Sequence, residues 1–296
     1  MNPLPGQIFE AAPGLRGLLA NNPSPMTGTG TISWILGEGE VALVDPGPAD
    51  PAHARVLRQA LGSERITTIL VTHAHLDHSA LARPLAEEWG APILAYGDAT
   101  AGRSPRMAAF ASDADLPRSE GVDAGFRPDG TLADGEVIGG RTWQVEALHT
   151  PGHFGNHLCF AMGDDILCGD LLMAWSTSIV APPDGDMADY LASLDRIAAR
   201  GSARLFPAHG AAIERPAERI SELVAHRRLR ETQVLQALGH GPATPEDLTR
   251  RIYTETPPRL LPAAAMNVLA HLIDLTDRNL VSPQGPMSRH AHFARR

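Results

Sequence analysis

Lysine is missing from this chain of 296 residues; all 25 of its basic side chains are arginine. We read this as compositional bias rather than a device for phosphate recognition. Cysteine is nearly missing too. Cys159 and Cys168 each sit in a short apolar stretch, which excludes a disulfide framework and suits reduced core thiols. Aromatic residues make up only 5%. No apolar run approaches the ~20 residues that a membrane span needs. The N-terminal MNPLPGQIFE has neither the basic nor the apolar region of a signal peptide. The expectation is a soluble, cytoplasmic protein with no membrane partner.

The formal net charge is −9. Glu214–Arg296 holds 12 arginines against 9 acids, so the acidity lies in the first part of the chain. An acidic body with a mildly basic tail is not the profile of a general nucleic-acid binder, although a local basic groove stays compatible with it.

A hydrophobic fraction of 43% suffices for a sizeable core, and 28 glycines and 25 prolines announce many turns. Two β-rich runs, Thr31–Leu36 and Glu40–Val44, flank a turn at Gly37–Gly39 and predict a hairpin. Residues 51–61 read as a helix. Ile66–Val71 is a nearly continuous apolar run, as a strand buried on both faces would be, and it leads straight into His73. A helix over 78–90 and a strand at Pro92–Ala95 follow. Residues 97–135 read as a long irregular insertion with helical pieces, the kind of loop that often carries function. Strands recur over 136–148, 157–162, 165–168 and 204–206, with a helix at 187–200. From about Arg215 the chain turns helical, over 216–238, 244–253 and 261–280, before a polar stretch that either forms a small hairpin or frays. This divides the chain into a catalytic domain, residues 1–214, and a C-terminal module, residues 215–296.

The chemistry concentrates in THAHLDHS, Thr72–Ser79. Alternate residues of an extended segment point the same way, so His73 and His75 can converge on one ion. The following turn can aim Asp77 and His78 at a second point a few Å away. Imidazole suits Zn²⁺, and a carboxylate supplies charge for a second ion; Fe and Mn also fit such nitrogen and oxygen donors. One histidine is ordinarily structural, but four such side chains in six residues are hard to explain that way. Three later signals each stand where a strand gives way to a loop: HTPGH at His149–His153, LCGD at Leu167–Asp170, and PAHG at Pro207–Gly210. Side chains there can reach a shared site at one sheet edge.

The series H-x-H-x-D-H, a distant His, an Asp and a final His resembles the signature of the metallo-β-lactamase superfamily. That resemblance implies an α/β protein, an αββα sandwich with the site at one edge of its stacked sheets. It implies two metal ions: one held by His73, His75 and His153, the other by Asp77, His78 and His209, with Asp170 bridging. Within the superfamily the chain looks most similar to the LACTB-two-like group, related to glyoxalase-II-type hydrolases. NNPSPMTGTGT (Asn21–Thr31), HTPGHFGNH (His149–His157) and Arg227–Leu280 carry that likeness, the last resembling a winged-helix-like module. The C-terminal helices do not look like the glutathione-binding helices of glyoxalase II, which weighs against glutathione thioesters.

The implied reaction is hydrolysis. Two metals a few Å apart would lower the pKa of a bridging water and supply hydroxide near neutral pH, with Asp77 orienting the nucleophile and shuttling a proton. His149 and Thr72 are candidates to orient the ligands, while His157, Trp175, Ser176 and Thr177 could reach or line the pocket. Asp45 is expected to support the histidine loop, and Trp34 to face core or cleft. The substrate would be a small ester, thioester or lactone. The rival is single-stranded RNA, which would need a basic or aromatic track such as Arg227, Arg228, Arg230, Arg250 and Arg251. A winged-helix module that binds nucleic acid or protein is another class of function, but Pro262–Leu280 is too apolar and acidic for a recognition helix. It suits packing, or contact in a homodimer. A one-iron oxygenase would not need Asp77 or His209. β-Lactam hydrolysis is not the expected main activity.

Overall fold

The computed structural model describes residues 3–111 and 121–296. Seven strands, β1 (Ile8–Ala12), β2 (Leu15–Leu19), β3 (Ile32–Leu36), β4 (Glu40–Val44), β5 (Arg65–Leu70), β6 (Ile93–Ala95) and β7 (Gly130–Thr131), form one sheet in that order. The first four are antiparallel and the last four parallel. Crossovers need helices: α1 (Pro51–Leu61) joins β4 to β5, and α2 (Leu76–Ser79) and α3 (Ala82–Trp89) join β5 to β6. A short helix, α4 (Pro105–Ala111), follows β6. The second sheet has the order β12-β11-β10-β9-β8, built from β8 (Val137–Gly139), β9 (Gln144–His149), β10 (Leu158–Met162), β11 (Asp165–Gly169) and β12 (Arg204–Pro207). Helix α5 (Met187–Arg200) makes the parallel crossover from β11 to β12.

The strands are nearly continuous apolar runs because both of their faces are covered. Trp34, Leu36, Val44, Leu70, Leu158, Phe160 and Phe206 meet between the sheets. Ile35, Leu43 and Ile69 face Leu57 of α1 and Leu85 of α3. Cys159, Ala161 and Ile166 face Leu191, Leu194 and Ile197 of α5. The layers are therefore αββα, and Trp34 belongs to the core, edge-on to Phe206 at 5.6 Å.

The C-terminal module consists of α6 (Pro216–Leu238), α7 (Pro245–Ile252), α8 (Leu261–Asp277) and a hairpin of β13 (Val281–Gln284) and β14 (His292–Arg295). Val234, Leu248, Leu269, Leu272 and Phe293 form its core, and Met107 and Phe110 of α4 pack into the same cluster. The first half of α6 instead buries Ile220 and Leu223 against the second sheet's helical layer, together with Ala270 of α8. The apolar face of α8 that suggested a second copy is thus covered within its own chain. No described helix is long and apolar enough to cross a membrane.

Four expectations need correction. The β1–β2 hairpin lies ahead of the strands read from sequence. The helix expected over 78–90 is two helices, because Leu81 donates its N–H to Gly47 instead of continuing the first. The strand over 136–148 is a hairpin of two, turned at Gly140, whose N–H meets the Trp143 carbonyl. The insertion over 97–135 contains α4 and β7, and its centre falls outside the described residues.

Candidate metal centre

Strands β4, β5, β9, β11 and β12 all end on one edge of the sandwich, because the parallel pairs β4–β5 and β11–β12 point their C-termini the same way. Asp45, Thr72–His78, the turn to His153, Asp170 and His209 follow those ends in the sequence. The seven residues read as ligands are brought together. Nδ1 of His75 lies 2.7 Å from Nε2 of His73 and 3.1 Å from Nε2 of His153. Nε2 of His209 stands 3.4 Å from Asp77 and 3.3 Å from Asp170, and Nε2 of His78 stands 3.4 Å and 3.6 Å from the same two carboxylates. Asp170 is also 3.8 Å from His153. His73, His75 and His153 form one group able to hold a metal ion, Asp77, His78 and His209 another, and His73, His78 and Asp170 a third between them.

Four of the imidazoles have their other nitrogen occupied. Nδ1 of His73 meets the Thr72 hydroxyl at 3.0 Å, and that hydroxyl donates to Asp45 at 2.7 Å. Nδ1 of His78 donates to Asp45 at 2.9 Å, that of His153 to the Ile179 carbonyl at 2.7 Å, and that of His209 to the Gly30 carbonyl at 3.1 Å. With Nδ1 held by an acceptor, each ring turns its Nε2 to the centre, which is how metal-ligating histidines are ordinarily oriented. Buried polar atoms normally find partners, yet Nε2 of His78 and Oδ1 of Asp170 have none. A cation between them would satisfy both, so the residues fit a metal centre.

Burial pushes the pKa of His73 and His153 down and that of His75 down to about 3, leaving neutral rings able to donate lone pairs. Burial opposes charge on His78 and His209 too, but there the carboxylates win. Asp77 and Asp170 raise His78 well above its usual value, and Asp170 with Asp77 holds His209 up at about 9. Both carboxylates stay ionised against the cost of burial because these histidines face them. One half of the centre is a neutral nitrogen triad, and the other is a set whose carboxylates draw positive charge.

Local structure explains the placement. His153 follows Gly152, which has φ 138° and leaves no room for a side chain: a Cβ would lie 2.2 Å from the Cα of Tyr190. Asp45 itself has φ 51°, a left-handed conformation that an aspartate tolerates better than most residues.

The remaining candidates sit around the ligands. His157 is buried with Nδ1 on the Thr150 hydroxyl at 3.0 Å, and its Nε2 accepts the backbone N–H of Asp170 at 3.2 Å. His149 stacks on Tyr96 with ring centres 3.7 Å apart and meets the Gly155 carbonyl, away from the ligand atoms. Trp175 donates to the His209 carbonyl at 3.2 Å and covers Gly28 and Gly210 with a half-exposed ring. Ser176 directs its hydroxyl to the Thr177 carbonyl, and Thr177 is half-buried. Sequence reasoning did not single out Thr31, whose hydroxyl donates to Asp77 at 3.0 Å, or Asn22, which holds the backbone N–H of Thr31 at 2.9 Å. Their only signal was their place in NNPSPMTGTGT.

Residues 26–209 match the metallo-beta-lactamase superfamily, and residues 244–286 match the beta-lactamase associated winged helix domain. A relative from Drosophila melanogaster, beta-lactamase-like protein 2 homolog, is 33% identical over 87% of this chain and 86% of its own length. An atrochrysone carboxyl ACP thioesterase from Aspergillus fumigatus is 29% identical over 85% of this chain and 77% of its own. The crystal structure of a metallo-beta-lactamase family protein from Thermus thermophilus superposes with a TM-score of 0.78 at 27% identity, covering 97% of this chain and all of that one. The chain belongs to the metallo-β-lactamase superfamily, a family of hydrolases, and is similar to its beta-lactamase-like protein 2 homologues.

Proposed function

We propose that the protein is a dinuclear hydrolase of small esters, thioesters or lactones, with one divalent ion on His73, His75 and His153, a second on Asp77, His78 and His209, and Asp170 between them. Zinc is the first choice for this donor set. The observation that carries the reading is the fixed orientation of four histidines, each with Nδ1 on an oxygen acceptor, the Nε2 of His78 and His209 turned to Asp77 and Asp170, and the Nε2 of His73 and His153 turned to Nδ1 of His75. When bound, the ions would supply Lewis acidity and activate water.

The chain's own residues would do the rest. Asp77 is the most exposed of the two carboxylates, and Thr31 holds one of its oxygens. It is placed to take a proton from water entering at the mouth. Asp170, fixed through its backbone by His157, keeps the two groups in register. No serine or cysteine nucleophile is needed: Cys159 and Cys168 are fully buried, and burial pushes the Cys159 thiol up to about 12.

The surroundings favour an acyl substrate with an apolar part. Leu76 between two ligands in the sequence, Trp175 against the His209 loop, and Met26 two residues before Gly28, which the Trp175 ring covers, are all exposed large apolar side chains. Similarity to a named thioesterase points the same way. Of the arginines that could have formed an RNA track, Arg227 is only 1% exposed, and Arg228 and Arg250 pair with acids on their own helices.

The test is side-by-side hydrolysis by the zinc-loaded protein of a thioester and lactone panel and a fluorogenic single-stranded RNA, with an Asp77→Ala, His78→Ala double variant as control. Turnover of an acyl substrate that the double variant loses supports the reading. Cleavage of RNA alone would replace it, and equal rates for both proteins would sink the two-metal hydrolase.

A further inference from the structure

The residues that fix the ligands belong to the catalytic domain, except along one segment. Residues 173–180 cross the site edge after Asp170, and their backbone is held from outside. Arg219 of α6 donates to the carbonyls of Met173 at 2.9 Å and Ser176 at 2.7 Å. Arg227, two turns further along α6, donates to the Ser178 carbonyl. Asn267 of α8 accepts the Val180 N–H at 3.1 Å and the Arg227 guanidinium at 2.9 Å through the same oxygen. Between Ser178 and Val180 lies Ile179, whose carbonyl receives Nδ1 of His153 at 2.7 Å.

Arg227 is an expensive residue to place there. It is buried, and its hydrogen-bond partners are an amide and a carbonyl rather than a carboxylate. A buried charge needs such partners to be tolerated at all. Its guanidinium also lies over the Tyr190 ring at 5.0 Å, and the Tyr190 backbone closes on Gly152, the residue before His153. Two routes thus run from α6 and α8 to one imidazole.

We propose that Arg227 and Asn267 are positioning residues of the metal centre: the C-terminal helices hold the Ile179 carbonyl where it orients His153, so the winged-helix module completes the nitrogen triad. This rests on the two-metal reading above. The alternative, that α6 and α8 simply add packing, predicts that any loss of module stability acts alike.

The experiment is Zn²⁺ titration of the metal-free full chain against a chromogenic chelator, with thermal unfolding of each metal-free variant alongside. Asn267→Leu removes the Val180 acceptor and should weaken one of the two zinc equivalents by roughly tenfold, the lower range for loss of an outer partner. Asn267→Asp keeps an acceptor oxygen and should restore wild-type affinity. Arg227→Met should act as Asn267→Leu does; if it does not fold, the Asn267 pair decides. Leu248→Ala, in the module core and outside the set of hydrogen bonds to residues 173–180, should lower the unfolding temperature and leave zinc affinity unchanged. Equal affinity in wild type and Asn267→Leu would overturn the proposal while leaving the two-metal reading intact, as would an equal loss in Leu248→Ala. A wild-type chain that takes up no zinc would overturn both.

Discussion

Oδ2 of Asp45 accepts Nδ1 of His78 at 2.9 Å, with both side chains fully buried. The same carboxylate takes the Thr72 N–H at 2.8 Å and the Thr72 hydroxyl at 2.7 Å. One side chain at the end of β4 therefore sets the tautomers of ligands from both halves of the centre. In Asp45→Asn one oxygen becomes a donor and must face a donor whichever way the amide turns. Asparagine tolerates the left-handed backbone, so strain does not confuse the result. Zinc affinity should fall by about 10–100-fold; a chelator competition showing no change would remove Asp45 from this role.

His157 acts on Asp170 through the backbone. His157→Leu leaves the buried Asp170 N–H without its acceptor, while the Thr150 hydroxyl keeps the Leu148 carbonyl and the Cys159 sulfur. Each buried unpaired group costs about 1–3 kcal/mol, so denaturant unfolding of the metal-free protein should show a loss of that order. His157→Gln, which can still accept, should lose less. Equal losses would mean that packing, not the hydrogen bond to Asp170, is what His157 contributes.

Trp175 should sort acyl substrates by size. In Trp175→Ala, kcat/KM for a long-chain acyl thioester should drop roughly tenfold more than for an acetyl thioester, the scale of discrimination an apolar contact provides. A uniform drop across chain lengths would place the effect on the His209 loop, which Trp175 also holds.

His271 gives the C-terminal module an acid-sensitive element. It is buried with neither ring nitrogen hydrogen-bonded, and burial, aided by the charge of Arg227, pushes its pKa down to about 3. Glu231 works the other way, while His226 and Arg228 add to the depression. The unfolded chain binds a proton near 6.5 and the folded chain refuses it until far lower. The stability from this group is therefore complete above pH 6.5 and is lost as pH falls toward 3. His271→Leu should flatten the acid limb of the metal-free protein's stability curve relative to wild type; superimposable limbs would contradict this.

Much of the site was readable because its residues are clustered by local geometry. His73 and His75 needed only the rule that alternate residues of an extended chain share a side, and Asp77 and His78 follow at once on the turn of α2. Asp170 and His209 were legible as polar residues at strand ends. Arg227 stood among the candidates for a basic track because arginine on a helix is usually solvated, and only the packing of α6 against α5 and α8 shows it buried. The β1–β2 hairpin escaped because Gly17 interrupts its apolar run, and that glycine makes room for Phe9 and Trp34, which a Cβ would meet at 2.4 and 2.9 Å.

By itself the sequence determined which chemistry this chain can hold: nitrogen and carboxylate donors at the ends of apolar strands, in a spacing that few other functions use. What tertiary structure decided was orientation. Which nitrogen of each imidazole faces the centre depends on Asp45, Thr72, Gly30 and Ile179, acceptors scattered along the chain that no local pattern connects. The division of labour between the two regions was decided there as well. Residues 173–180 follow Asp170 closely in the sequence, yet they are held by side chains of α6 and α8, 43 to 87 residues away. A hydrogen bond requires a partner within about 3 Å, and only the folded chain brings those partners into reach.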